Sequence, residues 1–477
     1  MKLSEVLKNI DSKSCYTDLE ISDVCCDTGK ISPGAVFVCI KGDHFDGHTA
    51  AEKMMESGAA CVVCERDMGL EKQILVEDTR LTWPLICSNF FGNPAEKLKL
   101  IGLTGTNGKT TTSFLIKQIL DSMGIRTGLI GTVQNMIGQE CIPTKFTTPD
   151  AYELHSLFQK MVQAQCEYCI MEVSSQALAQ GRVHGCRFAV GAFTNLTQDH
   201  LDFHKTWENY FGAKRILFEN CDTAVINIDD ENGLKLVEGL ACRPVTYAVD
   251  HDTADYVAKY LRFKPDGVSY ELVAYDKITH VNCAIPGRFS VYNSLCAAVC
   301  CMALGYEFEA VVKHVHNAGG VKGRAEVVPT DREFTIIIDY AHSPDGLKNI
   351  ISSMRETAKG RIITLFGCGG DRDKTKRPTM GRIAAELSDL CIVTSDNPRS
   401  EAPDAIIEDI LVGVKAAKKP YKVVENRREA IKYAIDNARA DDVIILAGKG
   451  HETYQILNSG TIHFDEREVI TEILKDE

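Results

Sequence analysis

Gly102-Leu103-Thr104-Gly105-Thr106-Asn107-Gly108-Lys109-Thr110-Thr111 is the stretch that decides the fold. An apolar run, Lys97–Leu103, precedes it and predicts a strand. Residues 109–122 follow with the apolar spacing of a helix. Strand, Gly-rich turn, helix is the context in which a Gly-Lys-Thr signature has physical meaning. Glycines let backbone N–H groups close around phosphate oxygens, and the helix N-terminus adds partial positive charge. Lys109 has the reach for β- and γ-phosphates, and the Thr110 hydroxyl suits Mg²⁺. A strict Walker A pattern puts Gly at position 103, where this chain has Leu, so the loop is a variant. The plain alternative, a strand–helix turn that holds no nucleotide, does not account for Gly-Lys-Thr in this setting.

Outward from the loop the same rhythm continues. Strands are predicted at 168–173, 187–194 and 223–228, and helices at 150–165 and 207–219. That pattern gives a mostly parallel sheet with helices on its faces. Residues 243–285 have shorter alternating runs and predict an antiparallel edge, with a helix at 291–304. Before the loop, Ala35–Ile40, Ala60–Cys64 and Ile74–Val76 predict strands of a small α/β module, with a helical stretch at 49–57. Phe90-Phe91-Gly92-Asn93-Pro94 marks its exit. After residue 327, strands at 334–340, 361–366, 389–394 and 442–447 predict a further doubly wound α/β unit. The expected fold class is α/β in three domains: 1–96, 97–326 and 327–477.

The 477 residues agree with about three domains at roughly 150 residues each. Hydrophobic residues at 44% and charged residues at 25% exclude a disordered chain. A net charge of −13 argues against nucleic acid or an anionic membrane as partner. No apolar run approaches the ~20 residues of a membrane span, and Met1–Lys8 is charged where a secretion signal is apolar. A cytoplasmic monomer is expected. Nineteen cysteines, an odd count, predict no disulfide framework. The pairs Cys61/Cys64 and Cys166/Cys169 lie in apolar runs that read as buried strands, where Cys behaves as a small hydrophobe.

Thr104-Gly105-Thr106-Asn107-Gly108-Lys109-Thr110-Thr111 resembles the ATP loop of the Mur ligase family, ATP-dependent amide-forming ligases of peptidoglycan synthesis with three α/β domains. The likeness covers essentially the whole chain, and its motifs are long and in order. It implies ATP contacts from Gly105, Thr106, Asn107, Gly108, Lys109, Thr110 and Thr111. Glu172 in Met171-Glu172-Val173-Ser174-Ser175-Gln176 closes a predicted strand, where ligands of open α/β sheets bind. The resemblance makes it a Mg²⁺ ligand with Thr110. His200 in Asn195–His204 resembles the ligand of a second Mg²⁺. Lys214, read alone a solvated helix lysine, matches a lysine that the family carbamoylates, turning a cation into an anion that orients metal. Lys109, Glu172, His200 and Lys214 form the implied catalytic set. Two cations make sense where ATP's γ-phosphoryl must meet a carboxylate, since both are anions.

Val321–Glu326 resembles the family's Gly-Arg-x-Glu hinge, with Arg324 toward the phosphates. Ile338–Asp345 resembles its Asp-Tyr-Ala-His motif, with Asp339 toward the ribose; a helix cap is the plainer role for that Asp. Asn293 matches the adenine-side Asn, and Ser290 replaces its usual companion Asn. Thr28, Thr147, Thr148, Ser174, Gln180 and Arg182 match positions that contact a UDP-sugar-peptide. Gly29 stands where the family commonly has Arg, and Gln176 where it has His.

Phe366–Lys374, Lys376–Pro378, Thr394–Glu401 and Gly448–Glu452 are similar to segments of the family branch that adds the third amino acid of the stem. The resemblance then implies UDP-MurNAc-L-Ala-D-Glu and meso-diaminopimelate as substrates. Arg372, Asp396, Asn397, Arg399, Gly448 and Glu452 would line the amino-acid site. A second, distal carboxylate calls for a bidentate cation, and Arg399 is the residue type for it. A lysine-adding enzyme would have little use for that guanidinium. The other classes considered are a non-catalytic nucleotide-binding homologue and a folate-type polyglutamate ligase. The intact set Lys109, Thr110, Glu172, His200 and Lys214 opposes the first; the Asp-Asn-Pro-Arg segment and the N-terminal module oppose the second.

Overall fold

Val36 and Val38 face one apolar cluster and Phe37 the other, and the same alternation runs through Cys61/Val63 and Val62/Cys64. Strict period-two alternation with both sets buried is the mark of a strand covered on both faces. The computed structural model describes residues 1–13, 17–42, 45–197, 199, 201–264 and 266–475. Its first sheet runs β1 (Asp23–Cys25), β2 (Ala35–Val38), β3 (Cys61–Cys64), β4 (Gln73–Leu75), all parallel and in chain order. Trp83, Ile86 and Cys87 of the helix Thr79–Phe90 pack on one face. That helix was not expected, because Pro84 lies inside it; its Asp78 cap, accepting from Leu81 N, starts it nonetheless. Cys61 and Cys64 point into opposite clusters and so cannot share a metal ion.

The chain divides into two compact units, Met1–Thr246 with Ala303–Gly305, and Tyr247–Met302 with Tyr306–Glu477. The first unit also holds β5 (Lys99–Thr104), β6 (Thr127–Ile130), β7 (Asn135–Ile137), β8 (Glu140–Ile142), β9 (Tyr168–Glu172), β10 (Phe188–Phe193) and β11 (Cys221–Asn227). Their order is β11-β10-β5-β9-β6-β7-β8, parallel from β11 to β6, with β6–β7–β8 an antiparallel meander. Helices Lys109–Ser122, Ala151–Gln163 and Trp207–Glu219 lie where the sequence puts them. Cys169 sits buried in β9, and Cys166 is buried just before it. All four of these paired cysteines are free thiols.

β12 (Arg243–Ala248) begins in the first unit and ends in the second, where β13 (Tyr256–Lys264), β14 (Gly267–Ala274) and β15 (Lys277–Cys283) follow. β13, β14 and β15 are antiparallel as expected, whereas β12 pairs β13 in parallel through Tyr247↔Tyr256. The last sheet contains β16 (Glu326–Val328), β17 (Thr335–Asp339), β18 (Ile362–Phe366), β19 (Leu390–Val393), β20 (Tyr421–Val423) and β21 (Val443–Ala447). Its order is β16-β17-β21-β18-β19-β20, and only β16 is antiparallel. Ile336, Ile338, Ile363, Leu365, Ile444 and Leu446 bury one face against Ile431, Ile435 and Ile470. The opposite face, with Ile337, Ile362 and Ile445, is equally buried. This is the doubly wound arrangement read from the sequence. Among the described residues no helix is long and apolar enough to cross a membrane.

Candidate functional site

β5, β9, β10 and β6 are adjacent parallel strands, so their carboxyl ends deliver four loops to one place. The loop after β5 is residues 105–108, ending on Gly108 at φ +87°, a backbone state that L side chains rarely adopt. Lys109 opens the helix and folds back, its Nζ donating to the carbonyls of Gly105 and Thr106 at 2.9 Å each. The loop after β10 braces this turn. Asn107 N donates to Asn195 Oδ1 (2.9 Å), Asn195 Nδ2 donates to Asn107 O (3.1 Å), and Thr106 N donates to Asn195 O (2.8 Å). Thr194 Oγ1 adds a bond to Asn107 O at 2.7 Å. Six consecutive residues, 105–110, are thereby shaped before any ligand arrives.

Glu172 ends β9 and is almost fully buried. Its Oε2 accepts from Thr110 Oγ1 and Thr132 Oγ1, both at 3.0 Å, and its Oε1 accepts from Thr132 N at 2.9 Å. Thr132 lies just beyond β6, and the sequence reading did not single it out. Its partner Thr147 Oγ1, 3.0 Å away, leads on to Thr148. Thr148 O accepts from Arg182 Nη1 (2.7 Å), whose other nitrogens bind Gln180 Oε1. Ser174 N donates to Thr148 Oγ1, and Ser174 caps the helix Ser175–Ala179. Thr147, Thr148, Ser174, Gln180 and Arg182 thus form one group beside Glu172. Thr28 is carried by another element, the turn after β1, where Gly29 N donates to Asp27 Oδ1.

Lys214 projects from the helix Trp207–Glu219 into the loop and donates to Gly105 O at 2.9 Å. It is buried, with its ammonium 4.6 Å from the Tyr210 ring centroid. Burial, then the charge of Lys109, hold its pKa well below the usual lysine value. Tyr210 OH reaches Thr106 Oγ1 at 3.1 Å, and burial pushes that phenol up to about 12. His204 packs on Tyr210 and bonds Ser175 Oγ at 2.9 Å. His200 lies outside the described residues. The hydroxyl of Thr110 and the carboxylate of Glu172 are hard oxygen donors at hydrogen-bond separation, a set that suits Mg²⁺ completed by phosphate oxygens and water. Among the described residues no cluster of three His, Cys, Asp or Glu forms a closed metal cage.

In the second unit, loops after β17, β21, β18 and β19 again meet at adjacent carboxyl ends. Asp339 ends β17. Its carboxylate accepts from Ala325 N (2.7 Å) and Ala341 N (2.8 Å), so it pins the Gly323–Glu326 turn rather than capping a helix. The cap of the following helix, Pro344–Arg355, is Ser343. Burial raises the Asp339 pKa, opposed by Arg324 and by these two N–H groups. Arg324 stacks on Tyr340 at 4.8 Å from the ring centroid. Asn293 is buried on the helix Arg288–Ala303, while Ser290 Oγ is engaged by Pro286 O of its own chain at 2.8 Å.

Asp396, Asn397 and Arg399 follow β19, and Gly448 and Glu452 follow β21. Asn397 Nδ2 donates to Glu452 Oε2 at 2.9 Å. Gln455 Nε2 and Arg427 hold Asp396, the first through its carbonyl at 2.6 Å, the second facing its carboxylate at 3.8 Å. Arg399 and Arg372 both flank Gly369. Arg372 Nη1 donates to Asp371 O (3.0 Å), and Arg399 Nη1 donates to Gly370 O (2.8 Å) and Asn397 O (3.4 Å). Among the described residues no carboxylate lies within ion-pair distance of the half-buried Arg399.

Three family models match the chain: "Mur ligase family, catalytic domain" over residues 20–91, "Mur ligase middle domain" over 103–301, and "Mur ligase, glutamate ligase domain" over 323–450. The chain is 45% identical, over its full length and that of the relative, to UDP-N-acetylmuramoyl-L-alanyl-D-glutamate--2,6-diaminopimelate ligase 1 of Clostridium acetobutylicum. A solved structure of a UDP-N-acetylmuramoyl-L-alanyl-D-glutamate--2,6-diaminopimelate ligase superposes with a TM-score of 0.75 at 30% identity, covering 100% of this chain and 99% of that one. The MurF ligase of Thermotoga maritima, solved in complex with ADP, shares the fold at a TM-score of 0.61 and 18% identity, covering 95% of this chain and 97% of that one.

Proposed function

This chain belongs to the Mur ligase family, and on that premise we propose that it joins meso-diaminopimelate to the D-glutamate carboxylate of UDP-MurNAc-L-Ala-D-Glu, in the cytoplasm, with ATP as phosphoryl donor. The observation that carries the amino-acid choice is Arg399. Its Nη1 binds two carbonyls, and no described carboxylate lies within ion-pair distance of it, Asp371 acting on it only from farther away. A half-buried guanidinium in that state suits a ligand's terminal carboxylate. Glu452 Oε2 is engaged by Asn397 and Lys449, which leaves Oε1 for the ligand's ammonium.

The division of labour follows three domains, 1–96 for the uridine nucleotide, 97–326 for ATP and 327–477 for the amino acid. Backbone N–H groups of residues 105–110 and the Lys109 ammonium take the β- and γ-phosphates of ATP. By the family resemblance, Asn293, Arg324 and Asp339 would contact the nucleoside and phosphates of ATP. Thr28, Thr147, Thr148, Ser174, Gln180 and Arg182 position the UDP-sugar-peptide so that its carboxylate faces the γ-phosphorus. The bond from that phosphorus to its bridging oxygen breaks, ADP leaves, and an acyl phosphate forms on the D-glutamate carboxylate. The free amine of diaminopimelate then attacks the acyl carbon, loses a proton, and releases inorganic phosphate. Thr110 and Glu172, with His200, would hold Mg²⁺, which supplies neutralisation of the phosphate charge. Lys214 reaches this site with burial and the Lys109 charge shifting it toward its amine form. A neutral amine is the form that adds CO₂, giving a carbamate and a proton, and a carbamate is a metal-orienting anion.

The test is phosphate release from ATP with Mg²⁺ and UDP-MurNAc-L-Ala-D-Glu, comparing meso-diaminopimelate, L-lysine and no amine. Release with diaminopimelate alone supports the reading. Release with lysine alone keeps the ligase and overturns the role of Arg399. Silence with both, in protein that binds ATP, favours a non-catalytic homologue.

A further inference from the structure

Lys449 is fully buried in the second unit, and its contacts extend beyond the one with Glu452. It lies between Gly448 (φ +113°) and Gly450 (φ +53°), directly after β21. A Cβ at position 448 would sit 2.7 Å from Asp396 Oδ2, so this loop is pressed against the segment after β19. The Lys449 side chain is fully buried beside it. Its Nζ donates to Asn397 Oδ1 at 3.1 Å and to Glu452 Oε2 at 3.0 Å, and lies 5.9 Å from the Tyr454 ring centroid. Asn397 Oδ1 also accepts from Ile456 N at 3.0 Å. The backbone N–H can only donate, and so can the ammonium. Both therefore require the amide oxygen at that position, which fixes which way the Asn397 amide faces.

The consequences reach the two side chains assigned to the amino acid. With its oxygen claimed twice, Asn397 presents only N–H to its other side, and one of those binds Glu452 Oε2. With Oε2 claimed by Lys449 and Asn397, Glu452 presents Oε1 alone. The ammonium also pairs with Glu452, while among the described residues Arg399 has no carboxylate within ion-pair distance. We propose that Lys449 is a positioning residue of the amino-acid site, which fixes the donor face of Asn397 and the acceptor oxygen of Glu452 for the incoming diamino acid. The inference rests on the reading of the site under the proposed function.

Two variants in the full-length protein test it. Lys449→Met keeps length and apolar bulk but removes every donor; Lys449→Gln removes the charge and keeps an amide donor. Steady-state phosphate release gives KM for the amino acid, ATP and UDP-MurNAc-L-Ala-D-Glu separately, with the melting temperature of each variant beside it. Lys449→Met is expected to raise the amino-acid KM at least about tenfold, as loss of a buried charged partner does, with the other two KM values within about threefold of the parent protein. Lys449→Gln is expected to return part of that loss. An amino-acid KM that moves less than threefold in both variants overturns the proposal. So does a rise of all three KM values together with a lower melting temperature, which marks a merely structural lysine. If Lys449→Met does not fold, Lys449→Gln decides by the same two criteria. An unmodified protein that turns over no amino acid would instead sink the underlying reading.

Discussion

The Nζ atoms of Lys109 and Lys214 share one acceptor, the carbonyl oxygen of Gly105, each at 2.9 Å. A carbonyl has two lone pairs and can take both. The arrangement holds two lysine side chains beside the place where a polyphosphate is expected, and it makes each sensitive to the charge of the other. Burial is the larger cause of the depressed Lys214 pKa, and Lys109 adds to it.

Lys109→Met therefore has two expected outcomes. Turnover falls by ~10²–10³-fold or more, the scale of losing one preorganised electrostatic group. Lys214 also regains protons, so a carbamate ¹³C signal in labelled bicarbonate appears at higher pH than in the unmodified protein. Retained activity would remove Lys109 from the phosphate site. An unmoved carbamate profile would show that burial alone controls Lys214.

Glu172 and Thr132 give a graded pair. Glu172 accepts three hydrogen bonds, two of them from Thr132. Glu172→Gln is expected to cut turnover by ~10²–10³-fold and to raise the Mg²⁺ needed for half-maximal rate. Thr132→Val removes one hydroxyl and leaves the Thr132 N–H bond in place. Its loss should be roughly tenfold, the scale of one hydrogen bond to a charged group, with a smaller Mg²⁺ shift. A Mg²⁺ titration of phosphate release separates them; an unchanged requirement in Glu172→Gln would take this carboxylate out of the metal site.

Arg399 combines a functional side chain with a left-handed backbone at φ +53°. Arg399→Ala and Arg399→Gly should both raise the diaminopimelate KM by ~30-fold to several thousandfold, the equivalent of about 2–5 kcal/mol. They should differ in stability. Glycine accepts this φ freely, whereas alanine keeps a strain of ~1 kcal/mol. Thermal melts are expected to rank Gly above Ala, while the two KM values agree. A normal KM in either variant would place the diaminopimelate carboxylate elsewhere.

What the sequence made legible was local. The apolar run before Gly105, the glycines and Lys109-Thr110 are contiguous, and the strand, turn and helix they specify are contiguous in the structure. Thr132 escaped notice because its role depends on β6 lying beside β9, with Ile130 paired to Met171, which puts residues forty apart within one hydrogen bond. Lys449 escaped for the same reason, since Asn397 is far from it in sequence. Asp339 was recognised as a strand-end carboxylate, but its partners Ala325 and Ala341 follow from the fold of the turn around it. The helix Thr79–Phe90 was hidden by Pro84, whose unfavourable propensity is overridden by burial of Trp83 and Ile86. The parallel β12–β13 pair was hidden because alternation reports burial of a strand's faces, not the direction of its neighbour.

The last expectation concerns acid. His155, on the helix Ala151–Gln163, is almost fully buried, and neither ring nitrogen has a hydrogen-bond partner among the described residues. Burial lowers its pKa to about 4. His451 is lowered to about 4 as well, first by burial and then by Arg324, Arg467 and Lys322. In both cases the unfolded chain, with a histidine pKa near 6.5, binds the proton first as pH falls. Stability is thus complete above pH ~6.5 and declines as pH falls toward ~4, by up to about 3 kcal/mol for each histidine. Below about 4 these two groups add no further loss. His155→Leu removes both unpartnered nitrogens while filling the site. Its melting temperature should fall less than that of the unmodified protein between pH 7.5 and 5. His451 remains as an internal comparison, so the slope should shrink without vanishing. Parallel melting curves for the two proteins across that range would show that His155 is not a source of acid sensitivity.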